Sequence, residues 1–422
     1  MEGGAAMIQA PKGTHDVLPH DVERRRVLAA HAERLLGSAG YQRIETPVFE
    51  ATELFARGVG EATDIVQKEM YSFDDGAGRS LTLRPEGTAP VCRAYIEHGM
   101  HKRPQPVKLW YLSCFFRAEN PQKGRQRQFW QVGAETIGSD APEADAELIV
   151  LLAELLEAMG VKGTRLRLAS LGTPETRVEY REELAAYLRA HESELAPEVR
   201  GRIELNPMRA FDASDRGTQH VMASAPKLLD RLAPEDAEHF AQVRALLDVA
   251  GIPYELDPML VRGLDYYTRT LFEFTSDALG AQSGVGGGGR YDRLIEQLGG
   301  QPTPGVGFAA GIERILLAAP EQPTAPDVVD LLVTLADRDA QPVHLAAFEL
   351  AREARRAGLA AQLELTGRSL KSALKHADRI GARYVAIVND AEQTSLRDMD
   401  SGEQLELATG ATIPAILRGG RL

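Results

Sequence analysis

Charged, amide and aromatic side chains recur in residues 109–137, LWYLSCFFRAENPQKGRQRQFWQVGAETI. Two β-rich runs flank a polar centre that contains proline and glycine, which predicts a hairpin with a long loop. Because successive side chains of a strand point to opposite faces, one face of this hairpin collects the functional groups. These are Ser113, Phe115, Arg117 and Glu119 on the first strand, and Phe129, Gln131, Gly133 and Glu135 on the second.

The loop of this hairpin is basic: it contains Lys123, Arg125 and Arg127, with no acidic residue between Pro121 and Gln131. Cations above a floor of arginine, glutamate and aromatic rings suit a nucleotide, because the cations bind phosphates and a ring face binds the base. A polar face exposed to solvent is the alternative. The strongly apolar flanking runs favour a central strand pair that is covered on both sides.

A second candidate follows the short strand predicted within residues 80–88, SLTLRPEGT. Pro90 falls near the first position of the next helix, and Thr88 is suited to cap that helix. Glu86 then lies at a strand end beside a helix N-terminus, where a carboxylate is favoured electrostatically. The residues alone leave two interpretations of Glu86 open, a capping acid and a ligand-binding acid.

The segment SGVGGGGRYD places Gly284, Gly286 and Gly289 in the pattern G-x-G-x-x-G. A dinucleotide fold requires an acidic residue about twenty positions further on, where Ala309 and Ala310 stand. No GK[ST] follows, so the segment is not a P-loop. A tight approach of the backbone to a ligand or to a neighbouring strand explains the glycines better.

Residues 305–317, GVGFAAGIERILL, predict a strand, a small-residue turn and a helix. Ile312, Ile315 and Leu316 form the core face of that helix, which leaves Glu313 and Arg314 on the other side. Arg314 is then either a solvated surface arginine or part of a binding site.

The surrounding elements predict more than one domain, because 422 residues exceed one comfortable core. A helix over 21–36 precedes a strand in YQRIETPVFE that reaches Pro47, and apolar side chains recur at helical spacing over 148–159. The proline-rich segment 319–327 is a linker. Strands and helices alternate beyond it, which predicts an α/β unit with a mainly parallel sheet.

The composition, 44% hydrophobic and 26% charged, is that of an ordinary globular protein. Neither a secretory signal nor an apolar run of about eighteen residues is visible, so we expect no membrane span and a cytoplasmic location. Cys92 and Cys114 form no CxxC, which argues against a disulfide framework or a zinc ribbon. The net charge of −13 argues against a general coat for nucleic acid, although a local basic strip would suffice for phosphate contacts.

Several motifs carry a family resemblance. FRAENPQKGRQRQFWQ resembles the second signature of class II aminoacyl-tRNA synthetases in its histidyl-tRNA synthetase form. LVRGLDYYTRT and GGGRYD are similar to the two signatures of the histidyl family, and TLRPEGT is similar to its substrate-carboxylate turn. GFAAGIERI resembles the third class II signature, and the helix and strand before Pro47 resemble the first. The resemblance covers essentially the whole chain.

The resemblance implies an α+β fold, a class II antiparallel sheet with flanking helices in residues 1–320. It further implies a helical insertion at about 174–257 that contacts the acceptor arm of tRNA, a linker at 321–327 and an α/β anticodon-binding domain at 328–422. The implied protein is a homodimer. It converts ATP and L-histidine to histidyl-adenylate and pyrophosphate and transfers the histidyl group to tRNA(His), with Mg²⁺ held by ligands that the sequence does not identify.

The resemblance also assigns site residues. Arg117 would bridge the α-phosphate and the histidine carboxylate, and Arg262 would contact the α-phosphate as a second catalytic arginine. The ATP site would comprise Arg117, Glu119 on the adenine side, Arg125 on the outer phosphates, and Phe129 and Arg314 on either side of the base. The histidine site would comprise Glu86, Gly87, Thr88, Arg117, Gln131, Glu135, Arg262, Tyr266 and Tyr267.

Two residues depart from the family pattern. Asn120 and Trp130 stand where many bacterial members have arginine and histidine. Asn120 lies in the loop that approaches the acceptor end of tRNA in the family, so the sequence assigns no mode of first-base recognition. It assigns no individual anticodon contacts either.

The rival interpretation is a non-catalytic paralogue, a regulatory subunit of ATP phosphoribosyltransferase that binds histidine but charges no tRNA. Such paralogues generally lack the anticodon domain and have degraded histidyl signatures, whereas both are intact in this sequence. We therefore expect the synthetase. A dinucleotide-dependent oxidoreductase is favoured by the glycine pattern alone and is the weakest alternative.

Overall fold

The computed structural model describes residues 7–60, 63–213, 215–260, 264–280, 283–321, 329–337 and 340–418. The chain divides into two compact units, Met1–Gln322 and Pro323–Leu422. Strands of the first unit form an eight-stranded and a three-stranded sheet, and strands of the second form a five-stranded sheet. Within the described part of the chain, no helix is long and apolar enough to cross a membrane.

The first unit contains both helices and strands. Its strands are β1 (Gln42–Arg43), β2 (Phe49–Ala51), β3 (Tyr71–Asp74), β4 (Ser80–Leu83), β5 (Val107–Phe116), β6 (Gln128–Ile137), β7 (Thr164–Ser170), β8 (Tyr254–Leu256), β9 (Thr268–Ser276), β10 (Gly284–Arg290) and β11 (Gly305–Gly311). Its helices are α1 (Pro19–Ser38), α2 (Thr52–Val59), α3 (Thr88–Glu97), α4 (Pro142–Ala158), α5 (Arg177–Ala190), α6 (Pro197–Arg200), α7 (Arg216–Ala223), α8 (Pro234–Val249), α9 (Leu294–Gln297) and α10 (Ile312–Ala318).

The eight-stranded sheet has the order β1-β5-β6-β11-β10-β9-β7-β8. Its six inner strands are paired antiparallel, and β1 and β8 join the two edges in parallel. The predicted hairpin is the pair β5 and β6. The strand predicted up to Pro47 is interrupted, since β1 ends at Arg43 and β2 begins at Phe49. The chain between β7 and β8 is mainly helical, from α5 to α8.

Apolar side chains cover both faces of this sheet. On one face Trp110 and Val132 pack in the cluster that contains the buried side chains of α1, α4 and α8. On the other face Leu109 and Phe115 pack with side chains of α3 and α5. The prediction of a central strand pair covered on both sides is confirmed, and the solvent-exposed alternative is wrong.

The second unit is an α/β unit, as predicted. Its strands are β12 (Val329–Leu335), β13 (Ala361–Leu363), β14 (Ala382–Val388), β15 (Gln393–Asp398) and β16 (Gln404–Ala408), and its helices are α11 (Gln341–Arg356), α12 (Leu370–Arg379) and α13 (Thr412–Leu417). Strands β13, β12 and β14 are parallel. The antiparallel pair β15 and β16, which the sequence reasoning missed, extends the sheet beyond β14.

Candidate active site

Small residues on neighbouring strands lie side by side in the middle of the eight-stranded sheet. Gly133 of β6, Ala309 of β11 and Gly287 of β10 pair in one row. Glu135 and Gly307 pair in a nearby row, where a Cβ atom on Gly307 would collide with Oε2 of Glu135. The missing side chains leave a trough on the sheet, into which neighbouring side chains can project.

A cavity of about 580 Å³ borders these rows, and its volume is within the usual range of small-molecule sites. Its wall combines cations, carboxylates and an aromatic ring. The structure brings all the residues predicted for ATP into this wall, namely Arg117, Glu119, Arg125, Phe129 and Arg314. Gln131 lines the same cavity.

Arg117 follows β5 and is held at two points. Its backbone N–H donates to the carbonyl oxygen of Arg127 at 2.9 Å, and its Nε donates to the carbonyl oxygen of Pro85 at 3.0 Å. Its guanidinium carbon lies 5.3 Å from the centre of the Phe129 ring, within cation–π range. Burial raises the pKa of the nearby Glu69 carboxyl, and the Arg117 charge lowers it. Arg117 therefore places a fixed positive charge in the cavity.

Arg314 belongs to α10 and is half-buried in the cavity wall, so it is not a fully solvated surface arginine. Its Nε donates to the carbonyl oxygen of Gly284 on β10. Burial lowers the pKa of Arg314, and the charge of Arg125 lowers it further. Arg125 in turn lies 3.7 Å from Glu119, measured from Nη1 to Oε2. Arginine stays protonated at neutral pH, so Arg117, Arg125 and Arg314 offer positive charge to an anionic ligand, within a wall that also contains five acidic residues.

Glu86 caps α3. Its carboxylate oxygens accept hydrogen bonds from the N–H groups of Thr88 and Ala89 at 2.7 and 2.9 Å. The predicted capping by Thr88 is wrong, because Thr88 is already the first residue of the helix. Burial raises the pKa of Glu86, and the two N–H groups lower it. The capping interpretation is correct, and a ligand role is compatible with it because each oxygen has a second lone pair.

Glu135 is fully buried on β6. Its Oε1 accepts a hydrogen bond from Thr88 Oγ1 at 2.8 Å, and its Oε2 accepts one from the Tyr291 hydroxyl at 2.6 Å. Burial raises the pKa of Glu135 to about 8; these hydrogen bonds lower it, and the charge of Glu86 raises it further. Glu86 and Glu135 are therefore two buried carboxyl groups, and the charge of Glu86 acts on Glu135.

Tyr266 and Tyr267 are buried next to these carboxyl groups. Their rings meet edge to face at 4.8 Å between centres, and Tyr266 lies 6.0 Å from the ring of Tyr291. Burial raises the pKa of Tyr266, and Glu86 is among the charges that raise it further. Five residues predicted for histidine thus converge in one buried cluster beside Gly87, namely Glu86, Thr88, Glu135, Tyr266 and Tyr267.

Sequence reasoning gave no role to Glu313, which joins three elements. Its carboxylate accepts hydrogen bonds from Arg25 of α1 at 2.7 Å and from the N–H of Trp130 at 3.0 Å. The Arg25 guanidinium also lies 5.7 Å from the ring of Trp130. Glu313 therefore fixes the first turn of α10, and with it Arg314, against the start of β6.

Arg290 and Tyr291 belong to the segment GGGRYD, and the sequence reasoning assigned neither of them a role. Arg290 is fully buried in an ion pair with Asp145 of α4. It also donates to the carbonyl oxygens of Ser139 and Ala141 at 2.9 and 3.2 Å. The ion pair holds the end of β10 to α4, and the two carbonyl contacts hold it to the segment after β6. The next residue, Tyr291, contacts Glu135. The motif itself is the sequence signal for both residues.

The sequence of this chain matches the models of two known domain families. The sequence model of the family described as histidyl-tRNA synthetase matches residues 13–315. The chain belongs to the histidyl-tRNA synthetase family. The model of an anticodon binding domain matches residues 331–418.

Individual relatives agree with the family match. The histidine–tRNA ligase of Desulfitobacterium hafniense is 47% identical over 408 residues, which cover 95% of each chain. The crystal structure of apo S. aureus histidyl-tRNA synthetase superposes with a TM-score of 0.79 at 34% identity, covering 97% of this chain and 100% of that one. The predicted class II fold is thereby confirmed.

A structure from Bacillus halodurans C, described as an ATP phosphoribosyltransferase regulatory subunit/histidyl-tRNA synthetase, superposes with a TM-score of 0.64 at 22% identity and covers 92% of this chain and 98% of that one. This likeness concerns the fold alone. The anticodon-binding match over residues 331–418 accompanies the synthetase match over residues 13–315. The family relatives therefore support the synthetase interpretation over the regulatory one.

The glycine pattern has the structural explanation that the sequence favoured. Gly284, Gly286 and Gly289 lie on β10, which is paired with strands on both sides, so they form no phosphate-binding turn between a strand and a helix.

Two other predictions concern residues around the site. Arg262 lies outside the described residues, and Asn120 is exposed in the loop between β5 and β6.

Proposed function

We propose that the chain is a histidine–tRNA ligase, which activates L-histidine with ATP and transfers the histidyl group to tRNA(His). One observation carries the proposal. Arg117 lines the cavity that contains the three arginines, and its Nε donates to the carbonyl oxygen of Pro85, the residue before Glu86. A nucleotide site and a pocket with two carboxyl groups therefore meet at one arginine, as a reaction between ATP and an amino acid requires.

Activation is attack by the histidine carboxylate on the α-phosphate of ATP, with pyrophosphate as the leaving group. Both reactants are anionic, so positive charge must bring them together and stabilise the charge that develops on the phosphate. Arg117 has the position for both tasks. Arg262 is a second catalytic arginine in this proposal, on the strength of its place in LVRGLDYYTRT. The step needs no covalent enzyme intermediate.

The nucleotide lies in the cavity in this proposal. Phe129 and Arg314 hold the two faces of adenine, an arrangement that combines stacking with a cation–π contact. Glu119 contacts the adenine side, and Arg125 binds the outer phosphates. The mutual repulsion of Arg125 and Arg314 supports this assignment, because a bound polyanion relieves it.

Histidine lies in the pocket of Glu86, Thr88, Glu135, Tyr266 and Tyr267. The carboxyl groups accept hydrogen bonds from its ammonium or ring N–H groups, and the tyrosines enclose the ring. Among the described residues, Gln131 Oε1 is buried without a hydrogen-bond partner. An acceptor left unsatisfied between the two sub-sites supports a contact with a ligand donor.

Magnesium accompanies ATP in this proposal. The described residues contain no group of three or more His, Cys, Asp or Glu side chains arranged for a metal. A magnesium ion bound to ATP needs only one or two carboxylates, since phosphates and water complete its shell. Glu273 of β9 lines the cavity with such oxygens. The bound ion would neutralise phosphate charge.

For tRNA, the second unit offers a basic surface on α12. This helix buries Ala373 and Ala377 and exposes Lys371, Lys375 and Arg379 at every fourth position. A row of cations on one helix face suits the phosphate backbone of a nucleic acid. The chain as a whole has a net charge of −13, so in this proposal tRNA binds to a local basic row of this kind.

We further propose that the protein is a homodimer and is located in the cytoplasm. The three-stranded sheet of β2, β4 and β3 leaves large apolar side chains exposed, with Phe49 at 51% and Phe73 at 45%. Val48 beside them is 41% exposed. Such a patch is typical of a surface that a second protein chain covers.

The test is ATP–pyrophosphate exchange by the purified full-length protein, measured with and without L-histidine. We expect exchange that depends on histidine, together with charging of tRNA(His). Histidine binding without exchange would establish the regulatory alternative. Exchange that depends on a different amino acid would remove the assignment of Glu86 and Glu135 to an imidazole pocket.

A further inference from the structure

The turn at residues 11–14 contacts the base of the loop between β5 and β6. The turn is closed on itself, because the N–H and the Oγ1 of Thr14 both donate to the carbonyl oxygen of Pro11, at 3.0 and 2.8 Å. The carbonyl oxygen of Gly13 accepts the N–H of Arg127 at 2.7 Å. A turn that precedes α1 in the chain is therefore bonded to the residue that precedes β6.

Arg127 links this turn to the cavity. Its carbonyl oxygen accepts the N–H of Arg117 at 2.9 Å, and its Nε donates to the carbonyl oxygen of Glu119 at 3.1 Å. Arg117 and Glu119 both line the cavity. Two residues of the proposed ATP site are thus bonded to one neighbour, and the turn holds that neighbour.

Strand β11 does not extend to this end of the hairpin, since it pairs with β6 no further than Gln131. Two backbone donors in this region have partners from other elements instead. The Trp130 N–H donates to the Glu313 carboxylate at 3.0 Å, and the Arg127 N–H donates to Gly13. A loop end without such a partner would retain conformational freedom. The turn therefore fixes the hairpin where the neighbouring strand has ended.

Gly13 fits this contact closely. Its φ is +86°, a conformation that glycine adopts at little cost. A Cβ atom at this position would lie 2.7 and 2.8 Å from Cγ and Cδ of Arg127 and 2.9 Å from Cγ of Pro121, whereas ordinary contact begins at 3.4 Å. The Arg127 side chain is anchored by its bond to Glu119, and Pro121 is a ring. A side chain at position 13 would therefore push the base of the loop away from the turn.

We propose that Gly13 is a positioning residue for histidine activation, because its contact with Arg127 sets where Arg117 lies in the cavity. This inference rests on the proposed function. Arg117 acts on charge that develops at the α-phosphate, so its position affects the transition state more than the bound substrates. A misplacement of about 1 Å can slow such a step by about 10². The loss appears in turnover and not in the binding of histidine.

The first test compares Gly13→Ala with the wild type in the full-length protein. We expect single-turnover formation of histidyl-adenylate to slow by about 10², while the Kd for L-histidine, measured by calorimetry without ATP, stays unchanged. A melting curve checks that the variant is folded. Wild-type turnover in a folded Gly13→Ala protein would overturn the inference, and so would a weaker Kd with normal turnover.

Gly40→Ala is the matched control. Gly40 has a φ of +85°, and a Cβ atom there would meet nothing within 4 Å. Alanine is therefore forced into the same unfavourable backbone conformation without a collision. This variant should form adenylate at the wild-type rate. Equal slowing in Gly13→Ala and Gly40→Ala would assign the loss to backbone strain and overturn the role of the contact.

The second test combines Gly13→Ala with Arg127→Ala, which removes the Cγ and Cδ atoms that a Cβ at position 13 would meet. Each single variant should slow adenylate formation, and the double variant should be no slower than the slower single one, because both act through one contact. Losses that multiply would overturn the inference. If Gly13→Ala does not fold, Arg127→Ala decides alone, and normal turnover in it would refute the link to Arg117.

Pyrophosphate exchange by the wild type is the reference for both tests. Its absence in the presence of L-histidine removes the proposed function. Wild-type exchange together with normal turnover in Gly13→Ala removes the inference about Gly13 alone.

Discussion

Arg117 donates a hydrogen bond of 3.0 Å from Nε to the carbonyl oxygen of Pro85. The bond ties the loop after β5 to the turn that carries Glu86, so the two sub-sites share one cation. A guanidinium group can hold that carbonyl through Nε and still carries N–H donors on its two Nη atoms. A lysine ammonium has no such division of donors.

The first prediction therefore concerns Arg117→Lys. We expect single-turnover adenylate formation to slow by about 10²–10³, the usual effect of losing one donor to a developing oxyanion. The control is Arg189→Lys, because Arg189 pairs with Glu204 on the exposed surface of the segment between β7 and β8. That variant should react at the wild-type rate. Normal turnover in a folded Arg117→Lys protein would refute the catalytic role.

The second prediction concerns histidine binding by Glu135. Glu135→Gln keeps the shape of the side chain but removes the carboxylate that forms as pH rises past its pKa of about 8, so at alkaline pH the KM for histidine should rise while that for ATP stays constant. Loss of one partner from a buried charged hydrogen bond costs on the order of 2–5 kcal/mol, roughly 30- to 5000-fold in affinity. Glu147→Gln, on α4, is the control and should leave both constants unchanged. An unaltered KM in Glu135→Gln would make Glu135 purely structural.

The third prediction concerns pH. Burial raises the pKa of Glu135 in the folded protein to about 8, above the value of about 4.3 for an unfolded glutamate. The folded state holds the proton more tightly, so the stabilisation is complete below the unfolded pKa and is lost as pH rises through 8. Thermal unfolding should show a steeper loss of stability between pH 5 and 8 for the wild type than for Glu135→Gln. Parallel curves would contradict the raised pKa.

The fourth prediction separates the two compact units. A chain that ends at Glu321 retains the cavity and the pocket, so it should catalyse histidine-dependent pyrophosphate exchange. It should charge tRNA(His) poorly, because the unit matched as an anticodon-binding domain is missing. Charging and tRNA selectivity equal to those of the full chain would remove the assignment of anticodon binding to the second unit.

The fifth prediction concerns the basic row on α12. Replacing Lys371, Lys375 and Arg379 with alanine should weaken tRNA binding and reduce its salt dependence. Each lost phosphate contact lowers the slope of log K against log salt by about 0.7–0.9. The control is Arg352→Ala on α11, whose guanidinium is already paired with Glu349. An unchanged slope in the triple variant would show that α12 does not contact the backbone.

The hairpin was predictable because its information is local. Alternation along residues 109–137 assigns each side chain to a face whatever the rest of the chain does. The same holds for α11 and α12, whose apolar spacing marks one buried face each. The interruption of the strand near Pro47 and the antiparallel addition of β15 and β16 were missed, because they depend on which neighbours the sheet provides.

Site residues that belong to a local sequence motif were predictable. Contacts between residues that are distant in the sequence were not. Glu86 was identified, but its capping of α3 depends on where that helix begins. The bond from Tyr291 to Glu135 requires β10 to lie two strands from β6, and the close packing of the Tyr111 ring requires Gly87 and Gly133 to meet it. No spacing in the sequence encodes either arrangement.

The pairing of Gly307 with Glu135 also limits how this pocket can evolve. Any side chain at position 307 would displace the carboxylate opposite it. A smaller residue at position 135 would make room, but it would leave the Thr88 and Tyr291 hydroxyls without their acceptor. Each substitution is thus a loss of its own kind, since one displaces the carboxylate and the other leaves two hydroxyls without an acceptor. Each of the two positions therefore restricts which residues the other can accept.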